Sequence, residues 1–149
     1  MSEKSIPSRL AHFQAHVGKS ITESGSPSAY SRWLNGTIEA VERGKITLKL
    51  QVRPEMTNPM GTLHGGVSAG IADDIMGIAV ASLDYPYFFT TINLQVDYLA
   101  PAVTHDYVIA KGWIEKEGKK IIYALCEISN SQGRVLVRAS SNLLALKPE

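Results

Sequence analysis

The sequence predicts an α+β domain in which a curved, mostly antiparallel sheet of five to six strands wraps one long central helix. Three observations carry this. One stretch of helical length, from about Gly65 to Ser82, is apolar on nearly every side, with Val67, Ile71, Ile75, Ile78 and Val80 on different faces. Segments before and after it alternate apolar and polar residues at a period of two. Turn-forming residues separate those segments at hairpin spacing. A helix that is hydrophobic all round is not satisfied by packing on one side. The sheet must curl around it, with a second copy of the chain covering what the sheet leaves open.

The elements follow in order. Residues 1–30 read as a lead-in containing a short helix, with Pro7 in its first turn, Leu10, Phe13 and Val17 on one face, and Gly18 at its end. "SITESGSPSAYS", residues 20–31, reads as a loop. The main domain spans residues 31–149. It opens with two strands, "WLNGTIEAVE" and "KITLKLQVR", joined by a turn at "ERGK". In the second, Ile46, Leu48, Leu50 and Val52 face one way and Thr47, Lys49, Gln51 and Arg53 the other. Residues 54–64, with Pro54, Pro59 and Gly61, form an irregular approach to the helix. A long strand from Phe88 to Leu99 follows the helix and stops at Pro101. Three more strands are expected near 105–116, 119–130 and 134–147, separated by "EKEGK" and "SNSQGR". The order is ββαββββ.

Composition narrows the function classes. The 149 residues are 44% hydrophobic and 19% charged, ordinary for a globular domain of this length. A net charge of +1 supplies no field to attract nucleic acid or an anionic membrane. The single cysteine, Cys126, cannot form an internal disulfide and sits in a strand as a core residue. Residues 1–20 lack the continuous apolar run of a secretory leader, and the longest apolar segment holds two aspartates, which makes it a poor membrane span. A cytoplasmic location is expected.

The chemistry gathers on "NPMGTLHGGVSAGIADD", residues 58–74. The first amides of a helix have no intrahelical partners and carry partial positive charge. Gly65 and Gly66 have no Cβ to keep a ligand from them. Such a helix start suits a phosphate, a carboxylate, or a carbonyl oxygen about to become an oxyanion; paired glycines also serve simply as turns. Of the two aspartates, Asp73 has the small helical neighbours Gly66, Ala69, Gly70 and Gly77, whereas Asp74 has Val67, Gly70, Ile71 and Ile78, a bulkier set. Asp73 is therefore the candidate for chemistry, and Asp74 is read as a structural acid bonded to backbone or to a basic side chain. Gly65 and Asp73 are eight residues apart, about 12 Å along a helix. They cannot act on the same atoms from one chain. If both act on one substrate, Asp73 must come from a two-fold-related second subunit.

The remaining candidates have plainer readings. Asn58 precedes Pro59 and is biased to an extended backbone. His64, next to the helix start, orders the loop. His12 and His16 share a helix face, but no third metal ligand accompanies them, so no metal site is assigned. Trp33 and Trp113 are read as core residues. Lys111, Lys116, Arg134 and Arg138 are read as solvated strand-edge residues, as are Lys119 and Lys120, unless they meet a ligand's phosphates.

"NPMGTLHGG" followed by "VSAGIAD", with "TINLQVDYLAPA" downstream, resembles the hotdog-fold acyl-CoA thioesterases of the PaaI-like group, from residue 31 to about 146. The resemblance implies a hotdog fold, assembly as a dimer or a dimer of dimers, and hydrolysis of acyl-CoA thioesters at the subunit interface without a cofactor. By motif position it implies that the Gly65 N–H polarises the carbonyl, with His64 and Gly66 supporting it. Asp73 of the partner would be general base or nucleophile, Asn58 would orient water or substrate, and Thr91 would assist the water. The threonine stands where related sequences carry serine. Lys119 and Lys120 are the basic pair closest to where that family places nucleotide contacts. Two other activities on the same fold are a non-catalytic acyl-CoA sensor and an enoyl-CoA hydratase; the hydratase would need a histidine that the central helix lacks.

Overall fold

The computed structural model describes residues 7–147; the expectations for residues 1–6 and 148–149 lie outside the described residues. The element order is α1 (Arg9–Ala15), α2 (Ala29–Leu34), β1 (Thr37–Glu42), β2 (Lys45–Gln51), a 3-10 turn (Pro54–Met56), α3 (Gly65–Ala81), β3 (Phe89–Tyr98), β4 (Tyr107–Glu117), β5 (Ile121–Asn130) and β6 (Val135–Ala145). The six strands form one sheet in the order β1-β2-β4-β5-β6-β3, every neighbouring pair antiparallel. α3 packs against β2 through β6. This is the hotdog arrangement.

The period-two pattern does what it predicts. Ile46, Leu48 and Leu50 of β2 are buried, and β4 and β5 bury Val108, Ala110, Ile122, Ala124, Cys126 and Ile128 against the helix. Ile71, Ile75, Ile78 and Val80 of α3 are buried too. Its stripe of small residues is the side the sheet leaves uncovered: Gly66 is exposed, and Ala69, Gly70 and Gly77 are half-buried. The core therefore reaches nearly around the helix, as its composition requires.

The lead-in departs from expectation. α1 begins at Arg9, after the N-cap Ser8, so Pro7 precedes it instead of lying in its first turn. It ends at Ala15, which leaves Val17 outside the helix and exposed. The loop expected to reach residue 31 stops at Ser28, whose side chain accepts the N–H of Ser31 at 3.1 Å and starts α2. Asn35, in the left-handed region at φ 52°, ends that helix. Trp33 and Leu34 are therefore helical, and the first strand starts later, at Thr37. Trp33 is also not core. It is 41% exposed, stacked on Tyr30 and beneath the Arg53 guanidinium.

Candidate active site

The start of α3 is built by His64. Its backbone is extended (φ −61°, ψ 136°), its Nδ1 accepts the Gly66 N–H at 2.8 Å, and its carbonyl accepts the N–H groups of Val67 and Ser68. His64 is thus the N-cap, which agrees with its reading as a loop-ordering residue. The capping leaves one amide of the first turn over. Among the described residues, the Gly65 N–H has no protein acceptor. On its other side the Gly65 carbonyl accepts the Tyr98 hydroxyl at 2.7 Å, which ties the helix start to the end of β3. Gly65 lines a cavity of about 380 Å³ together with Asn58, Thr62, Leu63, Ser68 and Tyr98.

Asn58 is held in the loop before the helix. Its Oδ1 accepts the N–H groups of Met60 (3.0 Å) and Thr62 (3.2 Å), and its Nδ2 donates to Thr62 Oγ1 at 2.9 Å. The side chain thereby fixes the approach to Gly65, and one Nδ2 hydrogen has no protein acceptor among the described residues.

Two turns along α3 the arrangement changes. Asp73 is exposed, and its Oδ1 accepts the Thr91 hydroxyl of β3 at 2.8 Å. Its Oδ2 has no protein partner among the described residues. Asp73 and Thr91 both line a second cavity, of about 400 Å³. The structure therefore brings together two of the four expected catalytic residues, Asp73 with Thr91. It brings together the other two, Gly65 with Asn58, in a different cavity.

Asp74 is the half-buried acid of the pair. Burial pushes its carboxyl up to about 6, against the lowering effect of the Ser31 hydrogen bond and with a further push from Asp73. Its partner is the Ser31 hydroxyl at 2.5 Å, a neutral donor where a backbone or basic group is expected. This contact docks α2 on α3. Beside it, Tyr30 lies so close over Gly70 that a Cβ there would stand 1.8 Å from the Tyr30 oxygen. Burial, then Asp74, then Asp73 raise the Tyr30 hydroxyl above its ordinary value.

Of the other candidates His12 lines the cavity of Asp73, whereas Lys119, Lys120, His16 and Cys126 line neither cavity. Lys119 and Lys120 are exposed at the turn between β4 and β5 and form no ion pair among the described residues. The Lys120 carbonyl accepts the N–H of Ala145, the partner of Phe89 at the start of β3. That places the turn at the same end of the sheet as the cavity of Asp73. Just before it, Glu117 is held down to about 2 by hydrogen bonds from Arg43 and Tyr85. His12 donates from Nε2 to the Ser24 carbonyl and His16 from Nδ1 to the His12 carbonyl. Cys126 is buried, which pushes its thiol up to about 12. Among the described residues no helix is long and apolar enough to cross a membrane, and no cluster of three or more His, Cys, Asp or Glu could hold a metal ion.

The chain belongs to the thioesterase superfamily, whose model matches residues 60–137, more than half of its length. It is 26% identical to human acyl-coenzyme A thioesterase 13 over 94 residues, 63% of this chain and 67% of that one. Among solved structures it resembles the PaaI protein of E. coli, from the phenylacetic acid degradation operon. There the TM-score is 0.80 at 18% identity, covering 94% of this chain and 97% of that one. A hypothetical thioesterase from Streptococcus pneumoniae TIGR4, solved with coenzyme A, gives a TM-score of 0.72 at 24% identity over 77% of this chain and 91% of that one.

Proposed function

We propose that this protein hydrolyses acyl-CoA thioesters at a site shared by two copies of the chain. One observation carries the reading. The free Gly65 amide and the free Asp73 carboxylate oxygen stand on one helix, in two different cavities, about 12 Å apart. Each is half of a hydrolytic site. A two-fold partner with an antiparallel α3 supplies each half with the other. β3 offers the seam: it is an edge strand, ten residues long, with Ile92 53% exposed and Phe88 exposed just before it. Pairing β3 with its copy turns the two helices antiparallel.

In this reading the thioester carbonyl accepts the Gly65 N–H at the positive end of α3, where charge develops on oxygen. Asp73 of the other copy takes a proton from a water whose oxygen bonds to the carbonyl carbon. The carbon–sulfur bond then breaks, and the proton passes to the departing CoA thiolate. The Thr91 hydroxyl holds Asp73 through Oδ1 and leaves Oδ2 for the water. Asn58 keeps the loop before Gly65 in place and presents its remaining Nδ2 hydrogen. Lys119 and Lys120 meet the CoA phosphates as exposed, unpaired cations. Direct attack by Asp73 through a mixed anhydride is the other route open to the same groups. A single turnover in ¹⁸O-labelled water puts label in Asp73 only by that route.

The test is thiol release from a panel of acyl-CoAs, with acid product measured alongside. Turnover that falls at least about a hundredfold in Asp73→Asn supports the reading. Saturable binding without turnover points to a sensor, and hydration of enoyl-CoA without thiol release points to a hydratase. Either result replaces it.

A further inference from the structure

One polar atom near Asp73 has no use within the protomer. Tyr30, the second residue of α2, lies over α3 with its hydroxyl in the space that a Cβ on Gly70 would fill. Both turns of α2 are tied down. The Ser31 hydroxyl donates to Asp74, and the Arg53 guanidinium donates to the carbonyls of Trp33 and Leu34. The Tyr30 ring is stacked on Trp33 at 5.9 Å between centroids, and the Arg53 guanidinium stands 5.4 Å from the centre of the Trp33 ring. The phenol therefore has its direction set before any ligand arrives.

The stack on Trp33 accounts for the ring but not for the oxygen, since phenylalanine would stack there as well. Among the described residues the Tyr30 hydroxyl has no hydrogen-bond partner. Its seat also requires glycine inside a helix, which is destabilising relative to alanine. Gly70 comes one turn before Asp73, about 4.5 Å along the axis, so the hydroxyl stands next to the carboxylate. Burial, then the charges of Asp74 and Asp73, keep its proton on. The group is a neutral O–H aimed from a braced helix, which suits it to donate to an atom that gains negative charge.

Thioester hydrolysis involves three polar atoms. In the thioesterase reading the carbonyl oxygen has the Gly65 amide of the other copy, and the water has Asp73. The sulfur, which departs with the electron pair of the carbon–sulfur bond, has no partner. A donor on the water would weaken it as a nucleophile, whereas a donor on sulfur stabilises the charge that forms there. We propose that the Tyr30 hydroxyl donates a hydrogen bond to the thioester sulfur, which makes Tyr30 a catalytic residue on the same chain as Asp73. Tyr30 keeps its own proton, and the proton that Asp73 takes from water passes to the thiolate as before. The inference rests on the thioesterase reading and adds to it a donor for the leaving group, carried by α2.

The experiment compares the wild type with Tyr30→Phe, which keeps the stack on Trp33 and removes the hydroxyl. Circular dichroism and size-exclusion chromatography check fold and assembly. The acyl chain turned over fastest as a CoA thioester is also presented as its N-acetylcysteamine and thiophenyl thioesters. The two alkyl thiolates are the stronger bases and depend on a donor; thiophenolate spreads its charge into its ring. Tyr30→Phe should lower kcat/KM at least about tenfold for the alkyl thioesters and less than about twofold for the thiophenyl ester. Gly70→Ala, whose Cβ displaces the hydroxyl, should show the same dependence on the leaving group. An equal loss on every thioester would take the hydroxyl off the sulfur and overturn the inference, as would no loss on any, and both would leave the thioesterase reading standing. Where the small thioesters are not turned over, a tenfold or greater fall in kcat for the acyl-CoA at unchanged KM supports the inference, and any other split overturns it. A wild type that cleaves no acyl-CoA contradicts the reading beneath and this inference with it.

Discussion

The two ends of the candidate site differ in what holds them. At the start of α3 the free group is a backbone amide. His64, Asn58 and Tyr98 surround it, each already bonded to the chain, so the donor's direction is set before any ligand arrives. At the middle of α3 the free group is a side-chain carboxylate, exposed and steadied by a single hydroxyl. The first region is held by several bonds around its free donor; the second is exposed and held by one. A donor aimed in advance is most effective where charge develops, and a carboxylate that moves protons needs access to water. The contrast matches the separate roles assigned to them.

The largest effects should come from removing the free group at either end. Asp73→Asn keeps the size and the Thr91 contact but removes the base, and kcat should fall at least about a hundredfold. Gly65→Pro removes the amide hydrogen and adds a ring whose Cβ meets Tyr98 at an ordinary contact distance of 3.4 Å. Proline suits the first helical position, and the extended backbone of His64 is what a residue before proline adopts. That variant should fold and lose about a hundredfold or more in kcat, read by thiol release beside circular dichroism. A smaller effect should follow Thr91→Val, which keeps the shape of the side chain and removes the hydroxyl. We expect a roughly tenfold fall in kcat with little change in KM.

The smallest effect concerns Asp74 and is read as stability. Its carboxyl is raised from 3.8 to about 6 in the folded chain, so the folded state binds the proton more tightly than the unfolded one. Its contribution is therefore most favourable below about pH 4, declines as pH rises to about 6, and is level above that, a loss of up to about 3 kcal/mol. Asp74→Asn keeps an acceptor for Ser31 and cannot ionise. In urea unfolding at about pH 8 it should be more stable than the wild type by about 1–3 kcal/mol, with the difference closing toward about pH 4.

What could be read from the chain alone divides along the same lines. The six strands and α3 follow from period-two alternation and from an apolar run of helical length, both local signals, and the structure places them within a few residues. The special status of Gly65 and Asp73 was also local, since both are odd residues for their surroundings. α2 was not legible. It has six residues, too few to show a period, and its bounds are set by single caps at Ser28 and Asn35. That is why Trp33 looked like a core strand residue when it is exposed on a helix. The partner of Asp74 is Ser31, 43 residues away, and nothing between them announces the contact. The lead-in's part in walling the cavity was equally hidden, although the Leu10 and Phe13 face needed something to pack against.

The central claim is that one site takes its donor from one chain and its base from another. Mixing two inactive variants, Asp73→Asn and Gly65→Pro, after reversible dissociation tests it most directly. A mixed dimer would carry both lesions in one site and neither in the other, so activity should return to about a quarter of the wild-type level in an equal mixture. A mixture that reassembles into hybrids and stays as inactive as its parents would contradict the claim.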